Sequence, residues 1–134
     1  MNALHLDIVC PDGELFAGEA KSILVTTDCG EIQIMRGHAD LVATLKAGRA
    51  KLVTLSGEER CAAVSGGFVT VADGCVKVVA TTFEFSDEID LERAKRAKEA
   101  AEEKLRAAKD EREFAIAKAK LERALSRISV ASGK

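Results

Sequence analysis

The sequence predicts a β-sandwich or β-barrel followed by a pair of α-helices, and three observations carry that reading. Nine of the ten glycines and the only proline fall within the first 85 of 134 residues. From residue 86 no glycine appears before Gly133, and alanine and charged residues take over. Hydrophobic periodicity changes at the same place, from alternation to steps of three and four. Net charge follows the division, at −4 over residues 1–85 and +2 over residues 86–134. The chain therefore divides into residues 1–86 and residues 87–134.

Each β element has a local cause. Leu4, Leu6 and Ile8 alternate with His5, Asp7 and Val9, the period of a half-buried strand. Pro11-Asp12-Gly13 makes a turn, because proline presets one dihedral and glycine accepts a positive one. Ser22–Thr27 forms a second apolar strand, and Asp28-Cys29-Gly30 turns it into the alternating stretch Glu31–Met35. Leu52–Leu55 and Cys61–Val64 flank a polar turn at Ser56–Glu59. Phe68–Val71 and Val76–Val79 flank Ala72-Asp73-Gly74-Cys75, where Asp-Gly is the strongest hairpin signal in the chain. Gly66 and Gly67 suit close strand packing or a bulge.

The helical part has apolar positions at Leu91, Ala94, Ala97, Ala101, Leu105 and Ala108, and again at Phe114, Ala117, Leu121, Leu125 and Ile128. Asp110-Glu111-Arg112-Glu113 reads as a capping box that starts a second helix. Two helices of about 18 residues, each about 27 Å long, then fold back as a hairpin. One continuous helix is the rival. A stripe made mostly of alanine buries little area, so either arrangement packs weakly.

Composition excludes several functions. With 47% hydrophobic and 31% charged residues the chain folds rather than staying disordered. A net charge of −2 and the lack of Trp and Tyr leave no basic field or stacking platform for nucleic acid. No apolar run approaches a membrane span. The N-terminal residues lack the basic and apolar regions of a signal peptide, so an intracellular chain is expected. Cys10, Cys29, Cys61 and Cys75 contain no CxxC pair, and His5 and His38 are too scattered to complete a metal cluster. Four reduced thiols are expected, those in the runs IVC, RCAAV and GCVKVV as small buried hydrophobes.

Four segments carry a resemblance to a known family. Residues 30–41, GEIQIMRGHADL, resemble the GELGILPGHAPL segment of the epsilon subunit of bacterial F-type ATP synthase. Residues 64–71, VSGGFVTV, resemble its SGGFVEV strand. Ile89-Asp90-Leu91-Glu92-Arg93-Ala94 matches IDxxRA, and Arg123–Ile128 matches RAxxRL. Arg36 and Asp40 stand where the family has proline. The resemblance implies a ten-stranded β-sandwich with a C-terminal two-helix hairpin, in a non-catalytic rotor subunit of the central stalk. It also implies contacts with the gamma subunit and the c-ring, with Glu31 and His38 at one end of the sandwich facing the c-ring. Extended helices would meet the alpha and beta catalytic subunits through their lysines and arginines and inhibit ATP hydrolysis. Coupling to proton flow and a peripheral place on the cytoplasmic face of the bacterial membrane follow from the same resemblance.

The residues themselves place Arg93 and Arg127 equally far from Asp110, so a hairpin brings them together beside Glu84, Ile89 and Asp90, with Arg123 one turn away. Converging guanidinium groups suit a polyphosphate. The resemblance implies the same: a regulatory ATP site at Glu84, Ile89, Asp90, Arg93, Ala94, Arg123 and Arg127, with no cofactor required. Ala100 stands where the family's site has a further basic residue. The alternatives at this point are ordinary interhelical salt bridges for the arginines, and, for the whole chain, a freestanding scaffold whose hairpin clamps another protein. No catalytic residues are expected. A thiol enzyme using a cysteine and His38 finds no supporting motif.

Overall fold

A computed structural model of the chain describes residues 3–132. Seven strands come first: β1 (Leu4–Cys10), β2 (Gly13–Thr27), β3 (Gly30–Met35), β4 (Leu41–Thr44), β5 (Gly48–Thr54), β6 (Glu59–Ala72) and β7 (Cys75–Phe85). A short 3-10 turn at Ser86–Glu88 leads to helices α1 (Leu91–Ala107) and α2 (Glu111–Ala131). The outermost residues of the two expected domains, 1–2 and 133–134, lie outside the described residues.

Seven continuous strands stand where the resemblance implies ten, and the reason is that three of them serve both layers. β2, β6 and β7 run for 15, 14 and 11 residues. In one layer the first half of β2 pairs with β1, then come the start of β7, the end of β6 and finally β4. In the other, β3 is followed by the second half of β2, β5, the start of β6 and the end of β7. Each layer thus has five strand segments, ten in all. β4 and the first half of β2 are absent from the sequence reading, since their pairing is set by β6 and β1 rather than by their own weak alternation.

The strands change layer where the backbone permits it. On β6 the crossing is at Gly66 and Gly67, whose φ values are 68° and 101°. A Cβ on Gly67 would lie 1.9 Å from the Val79 carbonyl oxygen, so only glycine fits. On β2 the register with β5 shifts between Ala20 and Ser22. Between the layers, Leu6, Ile8, Ile23, Ile34, Val69 and Val78 are fully buried, as their alternation requires. Asp73 and Gly74 both have positive φ, the geometry that an Asp-Gly hairpin demands.

The helices form a hairpin. Ala108 adopts an extended conformation and ends α1, while the Asp110 carboxylate accepts from the Glu113 N–H and caps α2. The Glu113 side chain reaches back to the Lys109 N–H at 2.8 Å, one residue beyond its place in a standard capping box. The seam buries Ala94, Ala101, Ala117 and Ala124. Phe114 and Leu125, expected in the stripe, are exposed instead, so the seam is even poorer in apolar area than the sequence suggests. α2 also lies against β5 and β6, where the Ser126 hydroxyl is buried with no hydrogen-bond partner among the described residues.

Gly67→Ala is expected to destabilise the sandwich by at least about 2 kcal/mol, because the strained φ and the backbone clash act together. Urea unfolding followed by circular dichroism measures this. Wild-type stability in the variant would show that β6 and β7 do not approach as described.

Candidate functional site

Three elements converge at the open end of the hairpin. Glu84 sits next to the last residue of β7, paired across the ladder with Ala63. The chain then turns through Ser86–Glu88 to Ile89 and Asp90, and the Asp90 carboxylate accepts from the Arg93 N–H to cap α1. Capping places Arg93 and Ala94 in the first helical turn. α2 returns antiparallel and brings Arg127 to the same end. Glu84, Ile89, Asp90, Arg93, Ala94 and Arg127, with Glu88 and Ala97, line a cavity of about 460 Å³.

Six of the seven residues expected at a nucleotide site therefore share one cavity. Arg123, the seventh, lies one turn along α2 and lines an adjoining cavity of about 210 Å³. Arg127 and Glu84 form an ion pair, with the guanidinium Nε as donor. That contact leaves both terminal nitrogens of Arg127 available as further donors. Arg93 and Arg123 have no ion pair within the described residues. The salt-bridge alternative thus holds for one arginine of the three, and its partner is Glu84 on the sandwich rather than Asp90, Glu92 or Glu99. Two guanidinium groups facing three carboxylates make a polar chamber that holds charge but aligns no nucleophile with a base.

The other expected site separates. Glu31 is the second residue of β3 and His38 follows its end in a tight turn, so the two stand at opposite ends of that strand, whose rise from Glu31 to Met35 is about 14 Å. The expectation that they share one end of the sandwich is corrected: Glu31–Met35 is a continuous strand between them. Glu31 is held by Arg49, with Nε to Oε2 at 2.6 Å and Nη2 to Oε1 at 3.2 Å. Sequence reading missed this two-pronged pair because 18 residues separate its members. The Arg49 guanidinium holds the Glu31 carboxyl below the usual carboxylate range, and Glu31 in turn raises Arg49. His38 Nδ1 lies 2.8 Å from the Ala39 carbonyl oxygen, a loop-holding contact.

Cys10 and Cys61 are half-buried, but Cys29 and Cys75 are exposed, and all four are free thiols. Cys75 departs from its expected burial because it starts β7 on the outward face, with Val76 and Val78 taking the inward positions. Burial and the nearby Asp12 charge push the Cys10 thiol up, away from reactivity. Among the described residues no three metal-ligating side chains cluster, and no helix is long and apolar enough to cross a membrane.

A β-sandwich carrying a weakly seamed helical hairpin, with a polar chamber between them, defines a two-domain module. Comparison with known proteins makes the class specific. Residues 3–86 match the family model described as ATP synthase, Delta/Epsilon chain, beta-sandwich domain, and residues 87–132 match that for its long alpha-helix domain. The chain is 38% identical to the ATP synthase epsilon chain of Ruminococcus albus over the full length of both. It is 41% identical to that of Halalkalibacterium halodurans over 98% of each. Among solved structures it resembles a chain of the Euglena gracilis mitochondrial ATP synthase OSCP/F1/c-ring assembly. The TM-score there is 0.80 and the identity 27%, over 90% of this chain and 76% of that one. A chain of the Tetrahymena thermophila mitochondrial ATP synthase central stalk and c-ring shares the fold at a TM-score of 0.62 and 15% identity, over 96% and 93%. The chain belongs to the ATP synthase delta/epsilon family, as a non-catalytic subunit of the central stalk. That membership decides against the freestanding clamp and the thiol enzyme.

The Glu31–Arg49 pair has a definite pH signature. Glu31 should titrate below an ordinary glutamate, and Arg49→Gln should return it to the ordinary range. Because the folded value is the lowered one, the pair's contribution is complete at neutral pH and fades as acidification passes through that value. Carboxyl carbon shifts in an NMR pH titration read this directly, and an unchanged Glu31 in the variant would show the pair does not persist in solution.

Proposed function

We propose that this stalk subunit joins the rotor through its sandwich and regulates ATP hydrolysis through its hairpin. The sandwich contacts the gamma subunit and the c-ring and helps couple rotation to proton flow. The hairpin takes ATP as a regulatory ligand while folded, and when extended it meets the alpha and beta catalytic subunits and inhibits hydrolysis. The complex holds the chain peripherally at the cytoplasmic face of the bacterial membrane.

The observation that carries this reading is the convergence of Glu84, Ile89, Asp90, Arg93, Ala94 and Arg127 on one cavity of about 460 Å³. That cavity exists only while α1 and α2 are side by side, so a ligand in it favours the folded form. Ligand at a hundredfold excess over Kd contributes about 2.7 kcal/mol to that form, more than an exposed ion pair supplies. The c-ring contact goes to the Glu31 end of β3 on the resemblance of residues 30–41 to the family's GELGILPGHAPL segment. His38, at the far end, does not share that contact.

Titration with MgATP tests the reading, with a fluorescence distance between labels near Asp90 and Ser132 reporting the hairpin. ATP should shorten that distance on average. Arg93→Ala and Arg127→Lys should weaken binding about tenfold, the worth of a charge-assisted hydrogen bond. A distance indifferent to millimolar ATP would end the sensor reading and leave the arginines as salt-bridge partners. For the sandwich, Glu31→Gln should leave the thermal unfolding midpoint nearly unchanged while lowering ATP-driven proton pumping in reconstituted membranes. Full pumping would move the c-ring contact away from Glu31.

A further inference from the structure

α2 lies against β5 and β6, in the layer that also carries the Glu31–Arg49 pair. In that layer β2 runs between β3 and β5, with Thr26 opposite Glu31 on one side. On the other side the Thr26 hydroxyl donates to the Arg49 carbonyl oxygen at 3.0 Å. A Cβ on Gly48 would lie 2.6 Å from the Thr26 hydroxyl oxygen, so the start of β5 is pressed close to β2. The Arg49 side chain therefore reaches over Thr26 to Glu31. Neighbouring strands stand about 4.8 Å apart, and a span of two such steps suits two long side chains.

Arg49 also lines a groove of about 380 Å³ between the start of β5 and α2. Lys46 and Arg49 belong to its sandwich wall, and Glu122, Leu125 and Ser126 to its helix wall. Two cations thus share the groove with one carboxylate, that of Glu122. Glu122 nonetheless has no ion pair among the described residues. Glu31 already holds the Nε and Nη2 edge of the Arg49 guanidinium and fixes the plane of that fork. A guanidinium is rigid and planar, so one that turns to face Glu122 gives up its two-pronged contact with Glu31.

We propose that Arg49 is a positioning residue shared between Glu31 and Glu122, so that hydrogen-bond donors of a partner that engage Glu31 release Arg49 to Glu122 and hold α2 on the sandwich. The trade runs both ways, because a coupling between two sites is reciprocal. An α2 seated through Glu122 frees Glu31 for its partner, and an α2 that lifts returns Arg49 to Glu31. Lys46 lines the groove but takes no part in the Glu31 pair, so the exchange runs through Arg49 alone. Within the chain the exchange stands on this geometry. Its use in the rotor rests on the assignment of Glu31 to the c-ring.

The test reads the lifting of α2 at Ser65, a buried residue of β6 that shares a small space with Arg123, Ser126 and Arg127. Ser65→Cys changes the volume little, and the alkylation rate of the new thiol follows the fraction of chains with α2 raised. Peptide mass spectrometry separates that thiol from the four native ones, and unfolding midpoints confirm that each variant is folded. Should the substitution itself unseat α2, a fluorescence distance between labels at Lys21 and Lys118 takes its place. In the full-length chain, Glu31→Gln imitates an engaged Glu31 by removing its charge. It should slow alkylation at position 65 about threefold, the scale of one exposed ion pair. Adding Glu122→Gln or Arg49→Gln should abolish that slowing, which a merely structural Arg49 would not do. Slowing that survives either addition overturns the proposal, as does a rate that Glu31→Gln leaves unchanged. Proton pumping by the reconstituted complex separates this exchange from the c-ring reading. Slower alkylation with full pumping in Glu31→Gln keeps the exchange and moves the c-ring contact elsewhere. Lowered pumping without slower alkylation keeps that contact and overturns the exchange.

Discussion

Where β6 passes β7 at Gly67, the two backbones leave no room for a side-chain carbon. The geometry of both domains descends from that approach. It lets β6 leave one layer and enter the other, and it carries β7 across with it in register. The end of β7 is then fixed, which fixes Glu84 and the direction in which the chain enters α1. Because the Asp90 cap starts the helix within six residues of Glu84, the first turn of α1 has little freedom about where to point. Arg127 completes the arrangement from the other helix by pairing with Glu84. A polar chamber between two domains is thus traced to a steric fact in the middle of a sheet.

The hairpin is held by a different balance. Its seam consists of alanine, whose methyl groups bury little area, and its larger apolar side chains Phe114, Ile116 and Leu125 remain exposed. Docking on β5 and β6 leaves the Ser126 hydroxyl buried and without a partner among the described residues, a cost on the order of 1–3 kcal/mol. Against these stand two well-made helix caps and the Arg127–Glu84 pair. The caps stabilise each helix by itself and are indifferent to whether the helices touch. The pair ties α2 to the sandwich at Glu84, so it breaks when α2 lifts away. Such a construction keeps the helices intact while leaving their association weak.

Much of this was legible in the residues. Alternation located β1, β3 and the apolar half of β2. Asp73-Gly74 located its hairpin, and Asp110 with Glu113 located the break between helices. The spacing of Arg93 and Arg127 about that break foretold their meeting, and the IDxxRA and RAxxRL motifs drew attention to both. What could not be read is pairing at a distance. Nothing local distinguishes seven bent strands from ten short ones. Glu31 gives no sign that Arg49 awaits it, and β4 is too short to stand out without β6 beside it. Cys75 looked buried because its neighbours are, but its own parity on the strand turns it outward.

The sharing of β2, β6 and β7 between layers has a mechanical side. In a sandwich of separate sheets, a sideways force on one sheet reaches the other only through side-chain packing, which slides at modest load. Here three covalent chains stitch the sheets together at different points. Shear between the layers must therefore strain peptide backbones, not merely shift side chains past one another. A body built this way turns as one piece, and torque entering at one face leaves at the other with little lost to internal slip.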